Sequence, residues 1–380
     1  MKVLVLSHTY ITRVGREKWR ELVRLYDIEL RIVVPSIWKD YLFTIKFNEH
    51  RDDELDVVSR PVLFSGKEAA HLYLSPTMEF QRFKPDIFHA EEGTDAVSYM
   101  QGLIAKSIFA PKAKTLFFTW MNFRKQLHFP FSTIERFNLA RSDRAITGNR
   151  DARDILREKG FTKPIDVLPL LGIDPGLFCK RDGSALREKL GLSGVVVGFI
   201  GRFVPEKGVL DLLTAAATLK TNVTLLFIGG GSSEPAMRAK AKELGLTEHV
   251  RILRSIPHAD IPFYINAMDV LVLPSYTVPH WKEQFGQVLV QAMASEVPVI
   301  GSTHAEIPNV IGDAGFVFPE RDIKRLGETL RRLVDDEGLR RELGKKGRER
   351  VLAYYTNTKI AEATYSIYRK LLEGDETCAV

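Results

Sequence analysis

The sequence predicts an α/β protein made of two parallel, doubly wound sheets. Three observations carry this. Short apolar runs alternate with amphipathic stretches along most of the chain, which is the order of a parallel sheet whose strands are joined by helices. The 380 residues exceed one ordinary hydrophobic core and imply two domains. A stretch from Leu168 to Arg181, holding Pro169, Gly172, Pro175 and Gly176, separates two such series. The expected division is residues 1–172 and 173–358.

Composition narrows the class. Hydrophobic residues make up 45% and charged residues 27%, as in soluble globular proteins. No apolar run approaches the roughly 20 residues needed to cross a bilayer. Met1 to Leu6 turns polar too soon for a signal peptide and reads as a strand. Cys179 and Cys378 are too few for a disulfide framework, so a reducing cytoplasm is the expected setting. The net charge of +6 is concentrated in the first half, at Arg13-Arg16-Lys18-Arg20-Arg24 and across residues 101–150. A basic amphipathic stretch suits peripheral contact with an anionic membrane; a solvated helix face is the plainer reading. No recognised nucleic-acid motif accompanies the charge, and no nucleic-acid partner is expected.

In chain order, Lys2 to Ser7 is an uninterrupted apolar run suited to a central parallel strand. A loop with Tyr10, Thr12 and Gly15 precedes a helix from about Arg16 to Tyr26. Gly15 either admits a phosphate close to the backbone or starts that helix. No G-x-G-x-x-G occurs here, which argues against a dinucleotide dehydrogenase. Glu29 to Pro35 is the next strand, and 36–80 mixes short strands with polar turns. Pro85 to Ala90 is a buried strand ending in Glu91-Glu92-Gly93. Thr94 to Phe109 is helical, Thr115 to Thr119 a strand, and Trp120 to Pro130 a loop. Ser132 to Arg141, Arg144 to Thr147 and Asn149 to Lys159 continue as helix, strand and helix.

The second series begins at Val195, whose strand ends at Gly201. Arg202 and Lys207 bracket the loop that follows. Two cations over a strand end suit a diphosphate, Arg gripping two oxygens in parallel while Lys adds a point charge. Val223 to Ile228 runs into Gly229-Gly230-Gly231, and Val250 to Leu253 into Arg254-Ser255-Ile256-Pro257. Val270 to Leu273 is a buried strand, followed by a polar loop with His280, Lys282 and Glu283. Phe285 to Ala294 has apolar residues at helical spacing, and Val297 to Ile300 is a strand again. Gly286 stands at the helix start, where free backbone N–H groups and the helix dipole suit an anion. Gln291 lies eight residues beyond Glu283, about 12 Å along a helix. Two polar groups flanking an anion site fit an extended ligand such as sugar–diphosphate–ribose. Arg331 to Leu352 and Lys359 to Leu372 read as the last helices.

The segment Glu283-Gln284-Phe285-Gly286, with Ala292-Met293-Ala294 behind it, resembles the donor-site signature of the retaining glycosyltransferases of family 4. Gly201-Arg202 with Lys207-Gly208, some 80 residues earlier, resembles that family's other mark. The likeness covers residues 195–320 by motif and the remainder by layout. It departs where the family has a second Glu, here Gln291, and at Glu296 and Ala305, where small residues or Gly are usual. The His that often follows the strand at 115–119 is replaced by Trp120-Met121-Asn122; His89 and His128 remain nearby in the sequence.

That resemblance implies the GT-B fold, two Rossmann-like domains facing a central cleft, the first completed by a C-terminal helix at 359–380. It implies transfer of a sugar from a nucleoside diphosphate sugar, UDP first and GDP next, with retention. The acceptor would be a sugar, a lipid-linked or a small-molecule hydroxyl. Arg202 and Lys207 would neutralise the leaving diphosphate, helped by the N–H groups of Gly286, Gln287 and Val288, with neither metal nor cofactor. Glu283 would hold sugar hydroxyls, Gln291 the ribose, and Ser255 and Ile256 the base. Two alternatives stay open: a degenerate member that binds nucleotide without efficient transfer, and a nucleotide-sugar epimerase.

Overall fold

Thirteen of the apolar runs and their neighbours pair into two parallel sheets, each confined to its own unit. The structure, a computed structural model, describes residues 1–39, 44–50, 52, 54–75, 77–219 and 223–374; Cys378 lies outside them. One unit comprises Met1–Gly172 together with the segment from Asn357 onward, the other Ile173–Thr356.

The strands of the first unit are β1 (Lys2–Leu6), β2 (Glu29–Pro35), β3 (Ile37–Lys39), β4 (Thr44–Lys46), β5 (Asp56–Arg60), β6 (Val62–Leu63), β7 (Leu72–Tyr73), β8 (Ile87–Ala90), β9 (Lys114–Thr119), β10 (Arg144–Thr147) and β11 (Ile165–Val167). Seven form a parallel sheet in the order β11-β10-β9-β8-β1-β2-β5, while β3 pairs with β4 and β6 with β7 in two short hairpins. β1 is buried on both faces, Val3 and Val5 inaccessible on one and Leu4 nearly so on the other, as a central parallel strand must be. The order of the chain turns back between β1 and β8.

The first sheet is closed by a helix from the far end of the sequence, Asn357–Glu373. Its Tyr365 stacks on Tyr26 with ring centres 3.7 Å apart, and Tyr368 Oη lies 2.7 Å from His89 Nδ1. His89 is buried and neutral, its pKa pushed well below the usual value by desolvation. It serves this packing rather than standing open to a substrate.

Most of the basic groups at 13–24 are held in ion pairs. Arg16 and Lys18 are buried. Arg16 pairs with Asp52 at 3.2 Å, Lys18 with Glu91 at 2.7 Å, and Arg20 with Glu17, Asp52 and Glu54. Arg24 is held by Glu21. Two of the five basic groups, Arg16 and Lys18, turn inward, while Arg13 and Arg24 remain exposed. Gly15 lies in a tight turn, Arg13–Arg16, that leads into the helix Glu17–Leu25. Among the described residues, no helix is long and apolar enough to cross a membrane.

The second unit has β12 (Val195–Arg202), β13 (Val223–Gly230), β14 (Val250–Leu253), β15 (Val270–Leu273), β16 (Val299–Ser302) and β17 (Gly315–Phe318), all parallel, in the order β14-β13-β12-β15-β16-β17. The turn-back falls between β12 and β15. Helix ends differ from the periodicity in two places. The expected helix from Arg331 to Leu352 is two helices, Ile323–Asp335 and Glu337–Tyr354. Asp336 breaks them because its carboxylate accepts the N–H of Leu339 at 2.8 Å and caps the second. The helix expected from Phe285 begins at Gln287, because Gly286 at φ 84° is left-handed and cannot continue a helical turn.

Candidate active site

Open α/β sheets bind ligands beyond the carboxyl ends of their strands, where the strand order reverses. In the second unit this point lies between the loop after β12, with Arg202 and Lys207, and the loop after β15, with Glu283. One glycine sets their approach. Gly208 is left-handed at φ 67°, and a Cβ there would lie 2.1 Å from the carbonyl oxygen of Pro274. The Tyr276 N–H then donates to the Glu206 carbonyl at 2.9 Å. The loops are bonded backbone to backbone.

The two residues given separate roles by the sequence, Lys207 and Glu283, meet directly: the Lys207 ammonium donates to Glu283 Oε2. Ser275 Oγ donates to the same oxygen at 3.3 Å. Lys207 Nζ also sits 4.6 Å from the ring centre of Trp281, a cation–π contact. Both partners of the ion pair are mostly buried. Arg202 ends β12 and is exposed, so its guanidinium is available to an incoming anion.

Behind Glu283 stands His304, which the sequence reading passed over. The Glu283 N–H donates to His304 Nε2 at 2.8 Å. That nitrogen is therefore the acceptor, and Nδ1 carries the proton. Nδ1 lies 3.0 Å from Thr277 Oγ1 and 3.4 Å from Glu320 Oε1. Glu320 in turn accepts from the Thr277 hydroxyl at 3.0 Å and its N–H at 2.6 Å. His304 is inaccessible and stacks on Trp281, with ring centres 5.4 Å apart. Burial lowers its pKa, partly countered by Glu320 and Glu283. A neutral histidine thus fixes the backbone of the residue assigned to the sugar. Trp281 and His304 both lay in stretches with motif likeness; nothing in their spacing showed that they stack.

The helix Gln287–Ala294 opens behind this pair, capped by left-handed Gly286. The N–H groups of Gln287 and Val288 lie in its first turn and have no acceptor within the helix. Phe285 is buried against Tyr355, with ring centres 5.6 Å apart, and Gln284 is exposed. Gln291 is buried, its Nε2 3.4 Å from His258 Nε2. Ser255 and Ile256 follow β14, Ser255 exposed and Ile256 half-buried. Gly201 is the penultimate residue of β12. Gly15 belongs to the other unit.

The arrangement offers a cation pair, a helix N-terminus and a carboxylate at one sheet edge. It is chemically suited to a phosphate joined to a polyol. Residues 185–350 match the family described as Glycosyl transferases group 1. The capsular polysaccharide biosynthesis glycosyltransferase CapM of Staphylococcus aureus is 33% identical over 204 residues, 51% of this chain and 52% of its own. The N-acetyl-alpha-D-glucosaminyl L-malate synthase of Bacillus anthracis is 30% identical over 210 residues, 54% of this chain and 53% of its own. The chain thus spans about half the length of the curated relatives it matches. Solved structures match throughout. HepE of Anabaena, in complex with UDP, superposes with TM-score 0.74 over 97% of this chain and 100% of its own, at 19% identity. The sucrose-phosphate synthase of Thermosynechococcus elongatus gives 0.71 over 98% and 99%, also at 19%. Residues 185–350 are thus similar to the glycosyl transferases of group 1, and the two parallel sheets have the GT-B fold of the solved glycosyltransferase structures.

Proposed function

We propose that this chain transfers a sugar from a nucleoside diphosphate sugar to an acceptor hydroxyl, with retention at the anomeric carbon. The observation that carries the reading is the Lys207–Glu283 pair at the strand-order reversal, flanked by Arg202 and the N-terminus of helix Gln287–Ala294. Arg202 and Lys207 take up the charge growing on the leaving diphosphate, and the amides of Gly286, Gln287 and Val288 add donors. Glu283 accepts from sugar hydroxyls, while His304 holds its backbone in place. The departing phosphate takes the acceptor proton. Gln291 meets the ribose, Ser255 and Ile256 the base. Lys207, Arg202 and the helix end supply what a magnesium or manganese ion would otherwise bring to the diphosphate. The second unit is the donor domain and the first the acceptor domain. UDP is the favoured nucleotide, supported by HepE having been solved with UDP and with UDP-glucose.

The test is product formation from labelled UDP-glucose, UDP-N-acetylglucosamine and GDP-mannose with mixed sugar and lipid-linked acceptors. A labelled product that keeps the donor's anomeric configuration, unchanged on adding magnesium or manganese, is expected. Nucleotide binding without product would favour a non-transferring member, and an altered donor without acceptor an epimerase.

A further inference from the structure

The first unit carries a cluster to which the proposed function assigns no role. His8 follows β1, Glu92 follows β8, and these two strands flank the reversal of strand order in the first sheet. His71 immediately precedes β7. One ligating atom from each of His8, His71 and Glu92 lies within 4.8 Å of the others. Glu92 Oε2 is 2.6 Å from His8 Nδ1, and Glu92 Oε1 is 3.5 Å from His71 Nε2. Oε1 also accepts the His8 N–H at 3.0 Å.

His71 decides what this arrangement needs. It is inaccessible, and its Nδ1 lies 2.9 Å from the Glu68 carbonyl oxygen and 3.4 Å from that of Lys67. A carbonyl can only accept, so Nδ1 carries the proton, and in the neutral ring Nε2 is a bare lone pair. Nε2 has no hydrogen-bond partner and faces a carboxylate oxygen. Two electron-rich atoms opposed in a buried site require a shared cation, which is either a second proton on His71 or a metal ion.

The surroundings favour the metal. A backbone carbonyl on the far nitrogen is what orients ligating histidines and sets their tautomer. Trp38 stacks on His8 with ring centres 4.6 Å apart and meets His71 edge-on at 4.9 Å, so both rings are fixed. Two imidazoles and one carboxylate are a zinc set that leaves a fourth position open. Tetrahedral zinc, with bonds of about 2.0–2.1 Å, places ligand atoms about 3.3 Å apart. The Glu92 Oε1–His71 Nε2 separation of 3.5 Å is already close to that. The His8–Glu92 contact opens by less than about 1 Å once Nδ1 gives up its proton to the ion. The His8 side chain, 18% exposed, gives solvent access.

We infer that His8 Nδ1, His71 Nε2 and Glu92 bind one zinc ion, whose fourth position takes water or an oxygen ligand. This stands whether or not the chain transfers sugars. The test uses the full chain, stripped with a chelator, dialysed, and titrated by calorimetry with zinc chloride and separately with magnesium chloride. One zinc per chain with proton release is expected, and no heat with magnesium. His71→Ala and Glu92→Gln should each weaken zinc binding at least tenfold, and cobalt(II) should give the absorption of a four-coordinate ion. Zinc that binds equally well to both variants sits elsewhere and overturns the inference. So does failure of the stripped chain to bind zinc, for which nitrogen NMR showing His71 doubly protonated at neutral pH would give the reason. Should His71→Ala misfold, His8→Ala, altered at the accessible edge, decides the matter by the same titration.

Discussion

Ala305 and Glu296 hold left-handed backbone, at φ 48° and 58°. These are the two positions where the sequence has a larger residue than the pattern it resembles, so the departure was legible and its physical content was not. A left-handed non-glycine residue costs roughly 1–2 kcal/mol. Ala305→Gly should raise stability by about 1 kcal/mol, reduced by the added freedom of the unfolded chain. That is a rise of about 2–4 °C in the thermal midpoint of a unit this size, read by calorimetry; an unchanged midpoint would mean that the loop relaxes around Ala305. Glu296→Gly should gain less, because it also removes an exposed pair with Lys180 at 3.1 Å. Lys207→Ala addresses the proposed chemistry. It should lower turnover on the order of 100-fold or more with a folded protein by circular dichroism. Turnover within about twofold of wild type would remove Lys207 from the diphosphate.

At the scale of elements, the strand–loop–helix–strand unit around Glu283 was readable because its apolar runs are short and its helix has the right period. Its contact with Lys207 was not, since the two lie 76 residues apart. Local patterns fix what a segment becomes, while the approach of two loops depends on Gly208, whose value lies in the Cβ it lacks. Gly208→Ala would force a left-handed Cβ against the Pro274 carbonyl. It should cost more than about 2 kcal/mol in denaturant unfolding and reduce nucleotide binding with it. A change below about 0.5 kcal/mol would show that the loops can part without consequence. The C-terminal helix makes a parallel case. Its period was legible, but not the bond from Tyr368 to His89. Tyr368→Phe leaves a buried nitrogen unpaired and should destabilise the first unit by about 1–3 kcal/mol, seen as a lower midpoint with the second unit unchanged.

For the whole molecule, two sheets followed from alternation and length, and the expected division at 172/173 rested on the Pro- and Gly-bearing stretch from Leu168 to Arg181. The inward pairing of Arg16 and Lys18 and the His8–His71–Glu92 cluster did not, because partners far apart in sequence have no spacing to read. Burial also lowers the pKa of His89 in the first unit and of His304 and, partly buried, His258 in the second. The unfolded chain protonates them near pH 6.5, while the folded chain resists. Below that pH the unfolded state binds more protons, so stability falls as pH drops. Going from about pH 7.5 to 5.5 should cost on the order of 1 kcal/mol in each unit from these histidines. Two units need not unfold as one, so each requires its own reporter. Of the four tryptophans, Trp19, Trp38 and Trp120 report on the first, and Trp281 reports on the second. His304→Gln should flatten the pH dependence seen by Trp281 alone; an unchanged slope would mean that another group drives it.

On the proposed reading, the Lys207–Glu283 bond makes donor binding an exchange rather than a capture. An arriving diphosphate evicts a carboxylate, and the evicted group finds new partners only if a sugar is attached. A nucleotide that has lost its sugar strands Glu283 beside a fresh anion. The resting ion pair would therefore compete hardest against the spent nucleotide and least against the intact donor, and would help the enzyme to empty itself after each turnover. Calorimetry of UDP and UDP-sugar should show the intact donor binding more tightly, and Glu283→Gln should narrow the gap.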